Sequence, residues 1–147
     1  MKINIEAELA RWEQQAPEEF RTDALWKTAT YRIATYLDEF SWEDVTNLAG
    51  DRRTARKAEQ LSECAPSIGA TFAEGYSRSS VKDRIRFFEY SLGSARETRH
   101  WYWSGRHVIG QERAAIGVHL STRLIQLLTV TVTREESKVT IKRRRHP

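Results

Sequence analysis

Val81, Ile85, Phe88, Leu92 and Ala95 recur at strict four-three spacing. Side chains so spaced share one side of an α-helix, and an apolar side must be buried against something else. Ser79 or Ser80 stands where an N-cap belongs, and Lys82, Asp83, Arg84, Arg86 and Glu89 cover the remaining faces. The stretch reaches Trp101-Tyr102-Trp103; Gly105 weakens its last turns and Gly110 stops it. One amphipathic helix of this kind demands partners, and the rest of the chain supplies three.

The first has Thr22 or Asp23 as cap and reads Trp26, Ala29, Ile33, Tyr36, Phe40, widened by Leu25 and Leu37. The second follows Asp51 and reads Ala58, Leu61, Ala65, Ile68, Phe72; Gly75 is placed as its C-terminal glycine. Pro66 lies in its middle, where a proline removes a backbone donor and costs roughly 3 kcal/mol, so a kink or local break is expected there. The last runs from about Gln111 through Ile116, Leu120, Leu124, Leu127 and Leu128. Beyond it the pattern changes. Thr129 to Thr133 and Lys138 to Ile141 alternate with β-branched residues around Arg134-Glu135-Glu136-Ser137. A terminal hairpin and a helix carried onward by packing are both compatible with that segment.

Four such stripes with short joins predict an all-α four-helix bundle, with the second and third stretches as antiparallel neighbours across the short Gly75–Ser79 join. The reading divides the chain into an N-terminal segment 1–21, a bundle 22–133 and a basic tail 134–147. The 147 residues suit one domain. No apolar run approaches the roughly 20 residues that span a bilayer, and the first residues lack the apolar region of a secretory signal. Cys64 is the sole cysteine, so no internal disulfide forms; no membrane association and a cytoplasmic location are the expectation. The net charge of +4 equals the contribution of Lys142, Arg143, Arg144 and Arg145, so the rest of the chain is balanced.

One segment goes beyond periodicity. Ser67-Ile68-Gly69-Ala70-Thr71-Phe72-Ala73-Glu74-Gly75-Tyr76-Ser77-Arg78 resembles the signature of the 23S rRNA-intervening-sequence proteins, a Ser-Ile, a small pair, Asn-Ile-Ala-Glu-Gly, then an aromatic or small residue and an Arg. Arg86-Phe87-Phe88 through Gly93-Ser94 to Glu97 is similar to that family's Arg-Phe-Leu, Gly-Ser, Glu stretch, and Leu25-Trp26-Lys27 to the opening of its first helix. The resemblance covers about residues 22–130. It implies an up-down-up-down bundle that assembles as a ring-shaped homopentamer with no known enzymatic activity. A related branch comprises accessory proteins of diversity-generating retroelements, basic pentamers that bind nucleic acid and a reverse transcriptase. The sequence also departs from the family pattern. Ser62-Glu63 stand where the family often has Arg-Arg, Thr71 where it has Asn, and Gly69 where it has a proline, with Pro66 nearby instead.

Motifs for chemistry are sparse. Glu97 and His100 form a helical Glu-x-x-His pair, but di-iron bundles need it twice and no second copy exists. His100, His107, His119 and His146 form no zinc pattern; His119 beside the fourth stripe reads as a partly buried packing residue. Cys64 lies on a core stripe and reads as an inert thiol. No phosphate-binding glycine loop is present. No catalytic residue, metal ligand or cofactor is therefore assigned.

What remains is recognition. Lys142, Arg143, Arg144 and Arg145 are the leading candidates to contact RNA or DNA, with Arg52, Arg53, Arg56 and Lys57 as a second group. Trp101, Tyr102 and Trp103 among Arg96, Arg99, His100 and Arg106 suit either base stacking or burial, and at helical spacing at least one must face outward. Glu74, beside Gly75 at a helix C-terminus, is expected to pair with Arg78 or a following arginine and lock the corner. Two functional classes follow: a non-catalytic nucleic-acid-binding or accessory scaffold, and a structural or protein-interaction module that binds no nucleic acid.

Overall fold

The computed structural model describes residues 3–146. Among them the chain is all-α, with seven α-helices, one 3₁₀ turn and no strand. Helix α1 spans Ile5–Gln15, α2 Glu18–Arg21, α3 Ala29–Ala49, α4 Ala55–Tyr76, α5 Val81–Ser104, α6 Arg106–Ile109 and α7 Gln111–Arg145. The 3₁₀ turn Ala24–Lys27 joins α2 to α3.

Local chemistry sets most of these boundaries. Asn4 caps α1 by accepting from the Ala7 amide, and Asp23 caps the 3₁₀ turn through Leu25. Thr28, not Thr22 or Asp23, caps α3 by accepting from Tyr31, so Leu25 and Trp26 precede that helix instead of opening it. Ser80 is the one of the two candidate serines that caps α5. Gly110, at φ +94°, turns the chain sharply into α7.

The four long helices, α3, α4, α5 and α7, pack each on the next in chain order, and α7 returns to α3. Specific contacts fix the direction of each pair. Thr54 Oγ1 donates to Leu48 O at the α3–α4 corner, while a Cβ at Gly69 would touch Ala34. Ser91 Oγ donates to Ile68 O and Lys57 Nζ to Ser104 O, which runs α5 antiparallel to α4. Arg84 meets Glu135, and Tyr102 lies against Gly117, which runs α7 antiparallel to α5.

The core is one cluster that includes Ile33, Leu37, Leu48, Leu61, Ile68, Phe72, Phe88, Leu120, Leu124 and Leu128. In α5 the buried row is Phe88, Ser91, Ala95, Thr98 and Tyr102, while Val81, Ile85 and Leu92 are only half-buried. The expected seam is thus rotated toward small polar residues. These let α5 approach α4 closely, and their hydroxyls are satisfied by Ile68 O and Ser94 O.

Helix α1 lies along α3 and α7. Leu9 is buried, Trp12 packs on Trp26 and Tyr36, Glu13 pairs with Arg32 at 3.0 Å, and Glu6 with Arg123 at 2.8 Å.

Several expectations are corrected. Of the kink or local break expected at Pro66, the break does not occur: α4 is continuous through it. Gly75 is not the C-terminal glycine. It is buried inside α4, with Ser77 at the C-cap, and a Cβ there would lie 2.9 Å from Phe87 Cβ and from Phe88 Cε1. Its lack of a side chain serves helix packing, not a turn. Of the two alternatives open for residues 129–141, the continued helix is the one that forms: α7 runs through them, and the expected boundary after residue 133 falls inside it. The physical reason is that the seam continues: Val132 and Glu135 are buried beside Leu128, and Thr129 and Thr131 satisfy their hydroxyls on Ile125 O and Leu127 O. By length and composition α7 suffices to cross a bilayer, but here its apolar side is taken by the core at Leu120, Leu124 and Leu128.

Candidate functional site

The antiparallel arrangement separates the two groups of candidate cations. Arg52, Arg53, Arg56 and Lys57 belong to the α3–α4 corner, at the same end as the α5–α7 connection. Lys142, Arg143, Arg144 and Arg145 form the last turn of α7, at the opposite end. With about 1.5 Å of rise per residue, the 35 residues of α7 span about 52 Å, so the groups do not form one patch on a single chain.

The tail cations are all exposed and make no ion pair among the described residues. Lys142 and Arg145 share a shallow groove with Lys138 and Ile141, so a helix presents them at fixed spacing. In the other group two members are engaged. Arg53 makes a bidentate pair with Asp51, at 3.0 and 2.7 Å, which holds the Asp51 carboxyl down at about 2. Lys57 caps the end of α5 through Ser104 O at 3.1 Å. Arg52 and Arg56 are exposed and unpaired among the described residues.

The expected Glu74–Arg78 lock is absent. Glu74 is exposed, and the Arg78 guanidinium lies 4.9 Å over the Phe87 ring, so the α4–α5 corner is held by Gly75 packing and a cation–π contact. Ser62 and Glu63 both face outward, so the positions that often carry two arginines are surface positions here.

The three consecutive aromatics point three ways. Tyr102 is wholly buried, Trp101 is half-buried against His100, and Trp103 is 60% exposed with Arg106 over its ring at 4.0 Å. His119 is exposed, contrary to its expected packing role, and borders grooves with Ile3 and Ile5 on one side and Trp103 on the other.

Two buried carboxylates belong to no motif that marks them in the sequence. Asp44 is fully buried; Tyr102 Oη donates to its Oδ2 at 2.8 Å and Arg113 Nε to its Oδ1 at 2.6 Å. Arg113 also donates to Phe40 O and lies over the Phe40 ring. Burial, then the adjacent Asp44 charge, push the Tyr102 pKa well above its usual range. Glu135 is buried near the other end, paired with Arg84 at 2.6 Å and Lys138 at 2.8 Å. Each acid occupies a core position of its helix, seven residues beyond Leu37 and Leu128 respectively. That placement is the available signal, since an acid on an apolar stripe requires a cationic partner.

Cys64 is buried with its Sγ 3.3 Å from Thr98 Oγ1, and burial pushes its thiol up to about 11. A thiol so held is protonated at neutral pH and a poor nucleophile. Among the described residues no three His, Cys, Asp or Glu side chains converge as metal ligands.

No curated protein matches this sequence. The fold is similar to a solved protein of unknown function from the S23 ribosomal protein family of Bacteroides thetaiotaomicron, with a TM-score of 0.65 and 20% identity over 71% of this chain and 98% of that one. Residues 28–114, from the cap of α3 to the first turn of α7, match the family described as 23S rRNA-intervening sequence protein. Because that match spans more than half of the sequence and includes the Ser67–Arg78 segment, the chain belongs to the 23S rRNA-intervening sequence protein family.

Proposed function

We propose that this protein is a non-catalytic, up-down-up-down four-helix bundle that assembles as a ring-shaped homopentamer and serves as a nucleic-acid-binding or accessory scaffold in the cytoplasm. The observation that carries the reading is the last turn of α7, where Lys142, Arg143, Arg144 and Arg145 are all exposed. A body of balanced charge with four cations at one helix end concentrates its attraction for phosphate there. In a five-fold ring the same turn is repeated five times, and linked weak contacts reinforce one another.

The test is binding of RNA and DNA across a salt series by the full chain, by a 1–141 truncation, and by a variant with residues 142–145 changed to glutamine. The expected result is a steep salt dependence for the full chain, with the slope reduced by about 3 or more in both variants. Absence of binding at every salt concentration rejects the reading. Light scattering gives the mass of the assembly, and a monomer rejects the ring.

A second reading, a protein-interaction module, is favoured by one observation. Trp42 is 81% exposed and Tyr90 and Val130 are more than half exposed, apolar side chains that suit contact with another chain. The partner would be a further copy or a protein such as a reverse transcriptase. Retention of a protein partner by a chain that binds no nucleic acid would favour this reading.

A further inference from the structure

We infer that the end formed by the α3–α4 corner and the α5–α7 connection is a site for single-stranded nucleic acid. There Trp103 stacks an unpaired base, and Arg106, Arg52 and Arg56 face the flanking phosphates. This rests on the nucleic-acid reading above and assigns it a second site, remote from the tail.

The two connections are joined by the bond from Lys57 Nζ to Ser104 O. A Cβ at Gly105 would meet Leu48, which sets the end of α5 directly on the end of α3. This brings Arg52, Arg53, Arg56, Lys57, Arg106 and His107 to one end of the molecule. Both acids of these connections and the first turn of α7 are engaged: Asp51 holds Arg53, and Glu112 accepts from the Ile3 amide. A hydrogen bond from an amide leaves the Glu112 charge in place, but Arg52, Arg53, Arg56, Lys57 and Arg106 outnumber Asp51, Glu59 and Glu112, so this end is net positive.

Trp103 is the aromatic member. Its indole is 60% exposed although Tyr102 beside it is wholly buried, so the helix turns it outward. Arg106 donates to Trp103 O at 2.9 Å while its guanidinium lies over the ring, which holds the ring and a cation together at the surface. A groove continues from it past Val118, His119 and Thr122. Every base has a π-face, so an exposed indole bordered by cations takes unpaired bases with little regard to sequence. A duplex hides those faces in its own stack and offers this end only phosphates.

The experiment uses the full chain and a labelled 20-nucleotide strand of mixed sequence, as RNA and as DNA, each alone and annealed to its complement. Wild type, Trp103→Ala, Trp103→Phe and the double variant Arg52→Gln/Arg56→Gln are compared at one salt concentration. Trp103→Ala is expected to weaken single-strand binding about 5- to 100-fold and leave duplex binding unchanged, and Trp103→Phe to retain most of the affinity. The arginine double variant is expected to weaken both. Neutralising residues 142–145 is expected to weaken both while preserving the single-strand to duplex ratio. The proposal is overturned if Trp103→Ala binds the single strand like wild type, if it loses single strand and duplex equally, or if it lowers the mass of the assembly, which makes Trp103 a subunit contact. If wild type binds neither nucleic acid, the broader reading falls as well, so the two failures are distinct.

Discussion

The phenol of Tyr102 and the carboxylate of Asp44, 58 residues apart in sequence, meet at 2.8 Å in the interior with Arg113 on the other side of the acid. One contact joins α5 to α3, and the other joins α7 to α3. The pair of helices that closes the set, α3 and α7, is thus held partly by a buried charge.

Removing one partner from such a group costs more than forming it gains, because a buried carboxylate is left uncompensated. Arg113→Ala is expected to destabilise the protein by about 3 kcal/mol or more. Tyr102→Phe, which leaves the arginine in place, is expected to cost about 1–2 kcal/mol. Urea denaturation of the variants measures both, and an equal loss in the two would contradict the charge argument.

Three helical glycines predict opposite outcomes for one substitution. Gly75→Ala and Gly117→Ala place a methyl against Phe87 and Phe88, and into the Tyr102 ring, respectively. Each is expected to cost about 1–3 kcal/mol through overpacking. A methyl at Gly93 would meet nothing within 4 Å, so Gly93→Ala is expected to stabilise by about 0.5–1 kcal/mol. Thermal unfolding of the three variants gives the comparison; a stabilising Gly117→Ala would show that α5 and α7 are farther apart.

Cys64 predicts a pH dependence. Its thiol ionises near 9.0 in the unfolded chain and near 11 in the fold, because burial disfavours the thiolate. Between those values the unfolded state holds fewer protons, so stability contributed by this group is complete below pH 9 and falls as pH rises through 11. Cys64→Ala is expected to flatten the stability profile over that interval. A thiol reagent at about pH 8, below the range in which the buried thiol ionises, is expected to leave the native protein unmodified and to label it after denaturation. Rapid labelling of native protein would contradict the burial.

Arg84 and Glu135 predict what holds the far end of α7. Arg84→Ala is expected to cost about 3 kcal/mol, less whatever Lys138 recovers, whereas replacing Arg84 and Glu135 together by leucine is expected to be near neutral. A peptide of residues 126–147 is expected to show little helix by circular dichroism, since threonine and valine are poor helix formers without a partner surface. A strongly helical peptide would mean that α7 forms on its own.

The helical stripes are legible in the sequence because apolar spacing is a local property. Ile33 to Phe40, Ala58 to Phe72 and Ile116 to Leu128 all lie in helices at the positions the spacing indicates. The tail cations are legible for the same reason, as a run of four adjacent residues. Pro66 and Gly75 mislead because their usual local meaning, break and cap, yields to packing: α4 continues past both under the contact of Phe72, Phe87 and Phe88. Trp103 is one of three adjacent aromatics, and spacing requires only that at least one face outward. Only the position of α5 between α4 and α7 buries Tyr102 and exposes Trp103.

By itself the sequence determined an all-α chain, four long amphipathic stretches, a family signature and where the net charge lies, all of which depend on residues near one another. Tertiary structure alone decided that Thr129 to Ile141 are helical, that Asp44 and Glu135 are buried with Arg113 and Arg84, and that the two cationic groups lie at opposite ends. Those outcomes depend on which helix faces which, and burial against a distant partner outweighs a local preference of a few tenths of a kcal/mol per residue.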